Sequence, residues 1–297
     1  MSLSDNDKIK HFFNQLNTKA YLFNFEEWAK GNIKYWKDID RFFEILDEVI
    51  LVEYQNDFLV QIKKGSKFYR ARVIPFTDYK SFHKGIGYEA DRLRGYNWKE
   101  SKEPPKNITT EQRNSKSGEE ALYVADDEVT ACAEAKSMVR EYISVAEFEL
   151  SDSVQVLDFS KMQFSKSFYQ YNDTYGVNVR EMLSTLEFYF SRPVYSKEEY
   201  VFSQQIVKHF REKGITGFKY RSFYSSGNNF TFFEDAINKF IWNDSRVVIN
   251  YTTANLFISL DKINVTDLSN VNNIEKNISN DIRERMLEDT KQVWEAL

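Results

Sequence analysis

Cysteine is nearly missing from this chain of 297 residues: Cys132 stands alone, which excludes a disulfide within the chain and any cysteine-rich zinc site. Imidazole is almost as scarce. His11, His83 and His209 are the only histidines, so little is left from which to build a metal centre, and none is expected. A Gly-x-Ser-x-Gly elbow, a Walker loop, a dinucleotide Gly-x-Gly-x-x-Gly and a His-Glu-x-x-His pair are all absent, and the mechanisms they serve have no support. No fixed-period repeat or low-complexity tract is present, which removes solenoids and collagen-like assemblies. The first thirty residues mix Asp5, Asp7, Glu26 and Glu27 with apolar residues and hold no continuous apolar stretch, so neither a signal peptide nor a membrane anchor is expected and the chain is placed in the cytoplasm. With a net charge of -5 and a pI near 5.5 there is no global basic field, and general nucleic-acid binding is not expected.

What is abundant is aromatic surface. Twenty-five Phe and 18 Tyr, within an apolar content of 42%, supply enough material for a substantial core and argue against disorder. Residues 1 to about 60 read as helices, because Phe12, Phe13, Leu16, Phe23, Trp28 and then Ile39, Phe42, Phe43, Leu46, Val49 recur at three- and four-residue spacing. The period changes after Gly65-Ser66, where 68–76 has the β-branched and aromatic content of a strand. From about 77 to 120 the chain is polar, and a stretch of that length reads as a loop covering a site. A strand is predicted at 121–125, followed by a helix from Val129 to about Tyr142 capped by Asp126 or Asp127. Strands near 143–150 and 154–159, helices at about 179–190 and 197–213, and strands at 217–220, 230–233 and about 246–260 follow, with a charged helix from about 274 to 296. Gly214 is expected to close the second of those two helices from the left-handed region. The fold class is α+β, divided into an N-terminal helical module (1–62), a central domain (63–240) and a C-terminal strand and helix extension packed on it (241–297).

Three groups of residues could carry chemistry. Side chains alternate along a strand, so Phe68, Arg70 and Arg72 share one face, and two guanidiniums together suit a pyrophosphate; an exposed edge face would show the same spacing. In the predicted helix Glu134 falls inside the apolar stripe Ala131, Ala135, Met138, Tyr142. A carboxylate there must meet an arginine, a hydrogen-bond network or a ligand, a structural ion pair being the plainer alternative. Ser222 and Asn229 flank the Ser225-Ser226-Gly227 turn, where hydroxyl and amide groups could meet a ligand or serve the turn itself.

In order along the chain, Tyr69-Arg70-Ala71-Arg72, Arg113 with Gly118, Leu122-Tyr123-Val124-Ala125, Thr130-Ala131 and Glu134 resemble the blocks of the RES family. Arg192-Pro193-Val194, Glu199-Tyr200, Ser203-Gln204, Gly214, Gly217, Tyr220, Ser222 and Asn229 to Phe233 continue the likeness, which covers a little over half of the chain. The resemblance implies an ADP-ribosyltransferase-like split mixed β core with flanking helices and a cleft for NAD, and an enzyme that breaks the bond between nicotinamide and ribose by water or by phosphate, as a toxin or defence effector. NAD would be substrate and no cofactor is implied. A regulatory protein or antitoxin and a homodimer are the partners to look for. Position by position, Arg70 would bind the diphosphate or ribose region, Tyr123 would pack on the nicotinamide ring or ribose, and Glu134 would contact the ribose hydroxyls. Gln204 and Ser222 would complete the pocket, with Arg72, Arg113 and Asn229 as further binding residues. The asparagine that follows the family's arginine by two places is displaced by one here, in Arg113-Asn114-Ser115. Transfer of ADP-ribose to a macromolecule and a non-catalytic binding module on the same fold are the alternatives.

Overall fold

A strand buried on both faces needs apolar residues on both, and several strands of the sheet at the centre of this chain, at 122–125, 142–150 and 154–158, are of this kind. A computed structural model describes residues 18–30, 39–75, 95–103, 109–138, 141–160, 174–194 and 196–250, all within one compact unit, residues 1–250. The predicted C-terminal helix and parts of the first helices and of the long loop lie outside the described residues, as do His11 and His83.

Eight strands form one sheet: β1 (Leu59–Ile62), β2 (Lys67–Val73), β3 (Leu122–Ala125), β4 (Tyr142–Leu150), β5 (Val154–Asp158), β6 (Gly217–Arg221), β7 (Asn228–Phe232) and β8 (Phe240–Ile249). Their order is β1-β5-β6-β7-β3-β2-β4-β8, with β5 and β6 parallel and every other neighbouring pair antiparallel. The α+β class is therefore that of the molecule. One junction is unlike the rest. β2 pairs with β4 along its whole length and β3 pairs with β7 along its whole length, but β2 and β3 meet only at Tyr69 opposite Ala125. The sheet is split there, between Arg70-Ala71 and Tyr123-Val124.

Helices α1 (Thr18–Ala29), α2 (Ile39–Asp47), α3 (Gln55–Phe58), α4 (Trp98–Ser101), α5 (Glu128–Glu134), α6 (Thr174–Ser191) and α7 (Val201–Glu212) surround the sheet. One core joins Phe25, Phe42, Phe190, Phe202 and Phe210 from the helices and Phe159, just after β5, to Phe218 and Tyr220 of β6; the other joins Phe68, Phe148, Phe230, Phe232 and Phe240. Among the described residues ten phenylalanines are 0% exposed, each contributing on the order of 2–3 kcal/mol of apolar burial, so ring packing dominates the interior. The N-terminal helices belong to the first of these cores: Phe25 stacks on Phe42 at 4.2 Å and meets Phe202 edge-on at 4.9 Å. α7 buries Phe202, Ile206, Val207 and Phe210 at helical spacing and ends on Gly214, whose φ is +88°. Gly214 N donates to Arg211 O at 2.9 Å and Ile215 N to Phe210 O at 3.1 Å, the paired bonds of a left-handed cap.

Several predicted boundaries move. The helical reading to about residue 60 gives way to a π-helical turn at Glu48–Glu53, one turn of α3 and strand β1, because pairing with β5 captures 59–62. The helix drawn to Tyr142 ends at Glu134: Lys136 turns into the left-handed region at φ 52°, Met138 is 71% exposed and Tyr142 already begins β4. The apolar stripe that made Glu134 look anomalous is thus not a helix face. α6 starts at Thr174 rather than about 179, and the last described strand runs over Phe240–Ile249, paired with β4 along its length.

Candidate active site

The split between β2 and β3 opens into a cleft of about 370 Å³, within the range of small-molecule sites, about 300–1,000 Å³. Tyr69, Arg70 and Ala71 line it from β2, Tyr123, Val124 and Ala125 from β3, and Glu134, Ala135 and Lys136 from the end of α5. Tyr220, Tyr224 and Asn229 come from β6, β7 and the turn between them, Gln112 and Arg113 enter from a loop, and Tyr200 from the 3-10 helix Lys197–Tyr200.

Glu134 is placed by a chain of local contacts. Asp127 caps α5, its Oδ1 accepting from Thr130 N at 2.8 Å, while Thr130 Oγ1 donates to Asp127 Oδ2 at 2.5 Å and lies 2.8 Å from Ser225 Oγ. Asp126 accepts from Asn228 N at 2.8 Å and from Asn228 Nδ2 at 2.7 Å. These bonds draw the β6–β7 turn onto the start of the helix, so closely that a Cβ on Gly227 would stand 2.2 Å from both Asp127 Oδ2 and Thr130 Oγ1. At the far end of the helix the same turn delivers two donors: Ser222 Oγ and Asn229 Nδ2 each lie 2.6 Å from Glu134 Oε1. Ser222 Oγ in turn accepts from Tyr224 N at 3.1 Å. Both bonds fall on one oxygen, and among the described residues Oε2 takes none, so a fixed carboxylate presents one oxygen to the cleft.

Arg70 stands across the split. Among the described residues it makes no hydrogen bond or ion pair, and its Nη1 is buried without a partner. Burial, with a smaller push from Arg72, pulls its pKa down to about 9, so the charge it carries at neutral pH is costly and an anionic ligand would relieve that cost. Tyr123 is held by Asn114 N, which donates to its hydroxyl at 3.1 Å, and by Ser115 Oγ at 3.1 Å; burial pushes its phenol above the ordinary range and keeps it neutral. Tyr220 is similarly pushed up to about 12 by burial, its hydroxyl 3.3 Å from Thr231 Oγ1.

The structure thus brings Arg70, Tyr123, Glu134, Asn229 and Arg113 to one cleft, with Ser222 on Glu134. Two expected pocket residues lie behind it. Arg72 Nη2 donates to Lys102 O at 2.9 Å, away from the cleft lining, because strand alternation sets only the face and not the partner. Gln204 is buried under the turn at 112–115, donating to Gln112 O at 2.8 Å and Ser115 O at 3.2 Å. Arg113 touches the cleft but commits its guanidinium to the carbonyl oxygens of Tyr189, at 2.7 Å, and Arg192 at the end of α6. Those bonds satisfy helix-end acceptors, and they make Arg113 a brace as much as a binding group. Sequence reasoning missed Lys136, whose Nζ lies 4.8 Å from the centre of the Tyr224 ring, and the aromatic lining from Tyr200 and Tyr224. Nothing in the linear pattern marked Lys136; Tyr200 had appeared only as part of a resembling block. Among the described residues no cluster of three His, Cys, Asp or Glu could hold a metal ion, and no helix is long and apolar enough to cross a membrane.

Residues 82–249 match the RES domain family, more than half of the chain, and the protein belongs to that family. The RES family is one of toxins that target NAD. The matched span includes Tyr123, Glu134, Ser222 and Asn229, whereas Arg70 lies ahead of it, on a strand of the same sheet. No curated protein matches the chain. Among solved structures, the crystal structure of the M. tuberculosis MbcT–MbcA toxin–antitoxin complex is similar at 12% identity, over 64% of this chain and 87% of that one, with a TM-score of 0.33; so distant a likeness carries no argument about the site.

Proposed function

We propose that this RES protein breaks the bond between nicotinamide and ribose in NAD, releasing nicotinamide and passing the ADP-ribosyl group to water or to phosphate. The observation that carries the reading is the pairing across one cleft of a carboxylate fixed by two hydrogen bonds, Glu134 on Ser222 and Asn229, with a guanidinium that has no described partner, Arg70. No ion pair joins these two charges among the described residues, so both are available to a ligand. The charges of NAD complement them: a diphosphate for Arg70, and a ribose that becomes positive as the bond breaks for Glu134.

As nicotinamide leaves, C1 of the ribose takes on oxocarbenium character, and a preorganised negative oxygen beside it lowers the barrier. Because Ser222 and Asn229 hold Oε1 before any substrate arrives, little reorganisation is needed when that charge develops. Nicotinamide in NAD already bears the positive charge and departs neutral, so the reaction asks for no strong general acid, in keeping with a cleft whose lining, among the described residues, holds several tyrosines and no histidine. Tyr123, kept neutral by burial, offers its ring to the nicotinamide or the ribose. A toxin of this kind fits a life under the restraint of a partner protein, and we include such a partner in the reading.

Incubating the purified chain with NAD, with and without inorganic phosphate, and resolving the products tests it. Free nicotinamide with ADP-ribose marks hydrolysis, and ADP-ribose 1″-phosphate marks phosphorolysis. A labelled protein without free ADP-ribose would replace the reading with ADP-ribosyl transfer, and intact NAD would leave a binding module.

A further inference from the structure

Among the described residues the left-handed backbone otherwise falls on glycine: Gly65, Gly118 and Gly214 take φ between 82° and 88°, and Gly214 ends α7 in that way. Lys136 is the exception. It stands two residues past the end of α5 at φ 52°, where a side chain is strained and glycine would be at ease. Its exposed side chain lines the cleft, with Nζ 4.8 Å from the centre of the Tyr224 ring. Backbone strain of this kind persists only where the surroundings impose it, and it gathers at ligand sites.

The charge at that position is uncommitted. Three cations line the cleft among the described residues, Arg70, Arg113 and Lys136, and Arg113 is bonded to the carbonyl oxygens of Tyr189 and Arg192. The ammonium of Lys136 makes no hydrogen bond or ion pair among the described residues. Glu134, two residues back, gives Oε1 to Ser222 and Asn229 and forms no salt bridge with the lysine. What holds Lys136 is the Tyr224 ring, and that ring is placed by its own backbone: Tyr224 N donates to Ser222 Oγ at 3.1 Å, the same hydroxyl that donates to Glu134. A solvated cation over a ring is bound more weakly than one on a phosphate oxygen, where the hydrogen bond is charge-assisted on both sides. The lysine can therefore exchange the ring for an anion without leaving the cleft.

We propose that Lys136 binds a phosphate group in the cleft, resting on the Tyr224 ring while the cleft is empty and swinging to the anion when one enters. The left-handed turn after α5 holds its ammonium at the cleft, and the flexible stem of a lysine lets that point charge move. Two sources share this chemistry: the diphosphate of the dinucleotide, which rests on the reading of the cleft as an NAD site, and free inorganic phosphate acting as the acceptor. In either case Lys136 favours ligands that bring a phosphate charge over neutral nucleosides, which offer the ammonium nothing in exchange for the ring.

The test uses the full chain as parent with Lys136→Gly, Lys136→Gln and Lys136→Arg. Inorganic pyrophosphate and orthophosphate are the probes in thermal unfolding, adenosine is the uncharged control, and NAD is followed in initial-rate assays without and with added phosphate. Lys136→Gly relieves the backbone, so the unliganded protein melts at or near the parent's temperature or above it. The rise that the phosphate probes produce nevertheless shrinks severalfold in Lys136→Gly and in Lys136→Gln, while Lys136→Arg keeps it and adenosine tells none of the proteins apart. Without phosphate, a KM for NAD raised severalfold in Lys136→Gly, the change falling on KM more than on kcat, assigns the phosphate group to the dinucleotide. An unmoved KM with a severalfold smaller yield of ADP-ribose 1″-phosphate at one phosphate concentration assigns it to free phosphate. Probe responses in Lys136→Gly and Lys136→Gln equal to the parent's overturn the proposal. So does a Lys136→Gly protein that is unfolded or markedly destabilised, because the lysine would then be there for the fold. Thermal response does not depend on turnover: a chain that shows this pattern without consuming NAD defeats the enzymatic reading alone, and one that consumes NAD without the pattern defeats the role of Lys136 alone.

Discussion

At the scale of single residues, the account turns on where polar atoms find partners. Glu134 was conspicuous in the sequence as a carboxylate among apolar neighbours, and the reason for noticing it was wrong even though the residue lies in the cleft. Its supposed stripe dissolves because α5 stops at Glu134, and the partners that hold it, Ser222 and Asn229, lie 88 and 95 residues away. Such long-range partners cannot be read from periodicity; only the resembling blocks put them in one site. The Ser222 bond has a consequence of its own. A hydrogen bond to a charged group contributes about 1.5–3 kcal/mol, so Ser222→Ala lowers kcat for NAD by about tenfold or more, read by initial rates at saturating NAD; an unchanged kcat would show that the fixing of Oε1 is irrelevant to turnover. Arg70 behaves differently under the proposed function, in which its planar guanidinium would grip the diphosphate through two bonds. Arg70→Lys keeps the charge but loses that geometry, and its KM for NAD rises by about tenfold or more, roughly the 1.4 kcal/mol of one lost charge-assisted bond. Equal KM values for lysine and arginine would argue that only charge counts there.

Elements decide whether those residues meet. The strands were the most legible parts, because FYRARV, LYVA and VQVLD have the β-branched and aromatic content of strands and punctuation on either side; β2, β3 and β5 begin and end within a few residues of expectation. Helix ends were poorly legible where tertiary contacts overrule propensity: Lys136 takes a positive φ that no helical pattern announces, and 59–62 pairs with β5 instead of extending a helix. The split between β2 and β3, which makes the cleft, is a property of register and leaves no mark in the composition of either strand. The element that matters most for the proposed catalysis is the β6–β7 turn folded on the start of α5. Gly227→Ala forces side-chain atoms of Asp127 and Thr130 apart from a Cβ placed at 2.2 Å, so the turn withdraws and takes Ser222 and Asn229 with it. The expected result is a kcat at least about tenfold lower, the cost of a displacement near 1 Å or less at a catalytic group, with an unchanged far-ultraviolet circular dichroism spectrum. Full activity in Gly227→Ala would mean that the turn adjusts without moving its donors.

At the scale of the whole molecule, helices outside the RES match share a core with it, and ion pairs tie the layers together. Asp47, at the end of α2, accepts from His209 at 2.8 Å and from Lys213 at 2.9 Å, both at the end of α7. Burial opposes the charge on Asp47, but His209 and Lys213 outweigh it and hold its pKa below the ordinary 3.8. A carboxyl with a depressed native pKa adds stability above its unfolded value, and that contribution disappears as pH falls through the native one. Urea unfolding should therefore find Asp47→Asn less stable than the parent at neutral pH, by about 1 kcal/mol for ion pairs at the partly solvated edge of the core, with the gap closing as the pH drops below about 4. A gap that persists undiminished in acid would show that the side chain acts through packing and not through its charge. The central claim reaches across all three scales: a split sheet, a stapled helix end and one fixed carboxylate make a site for breaking NAD. Its most direct test is nicotinamide release from NAD by the full chain beside Glu134→Gln, with folding of both verified by thermal unfolding. The account predicts release by the parent and a rate about 10²- to 10³-fold lower in the variant; equal release by the two proteins, or none by the parent, would contradict it.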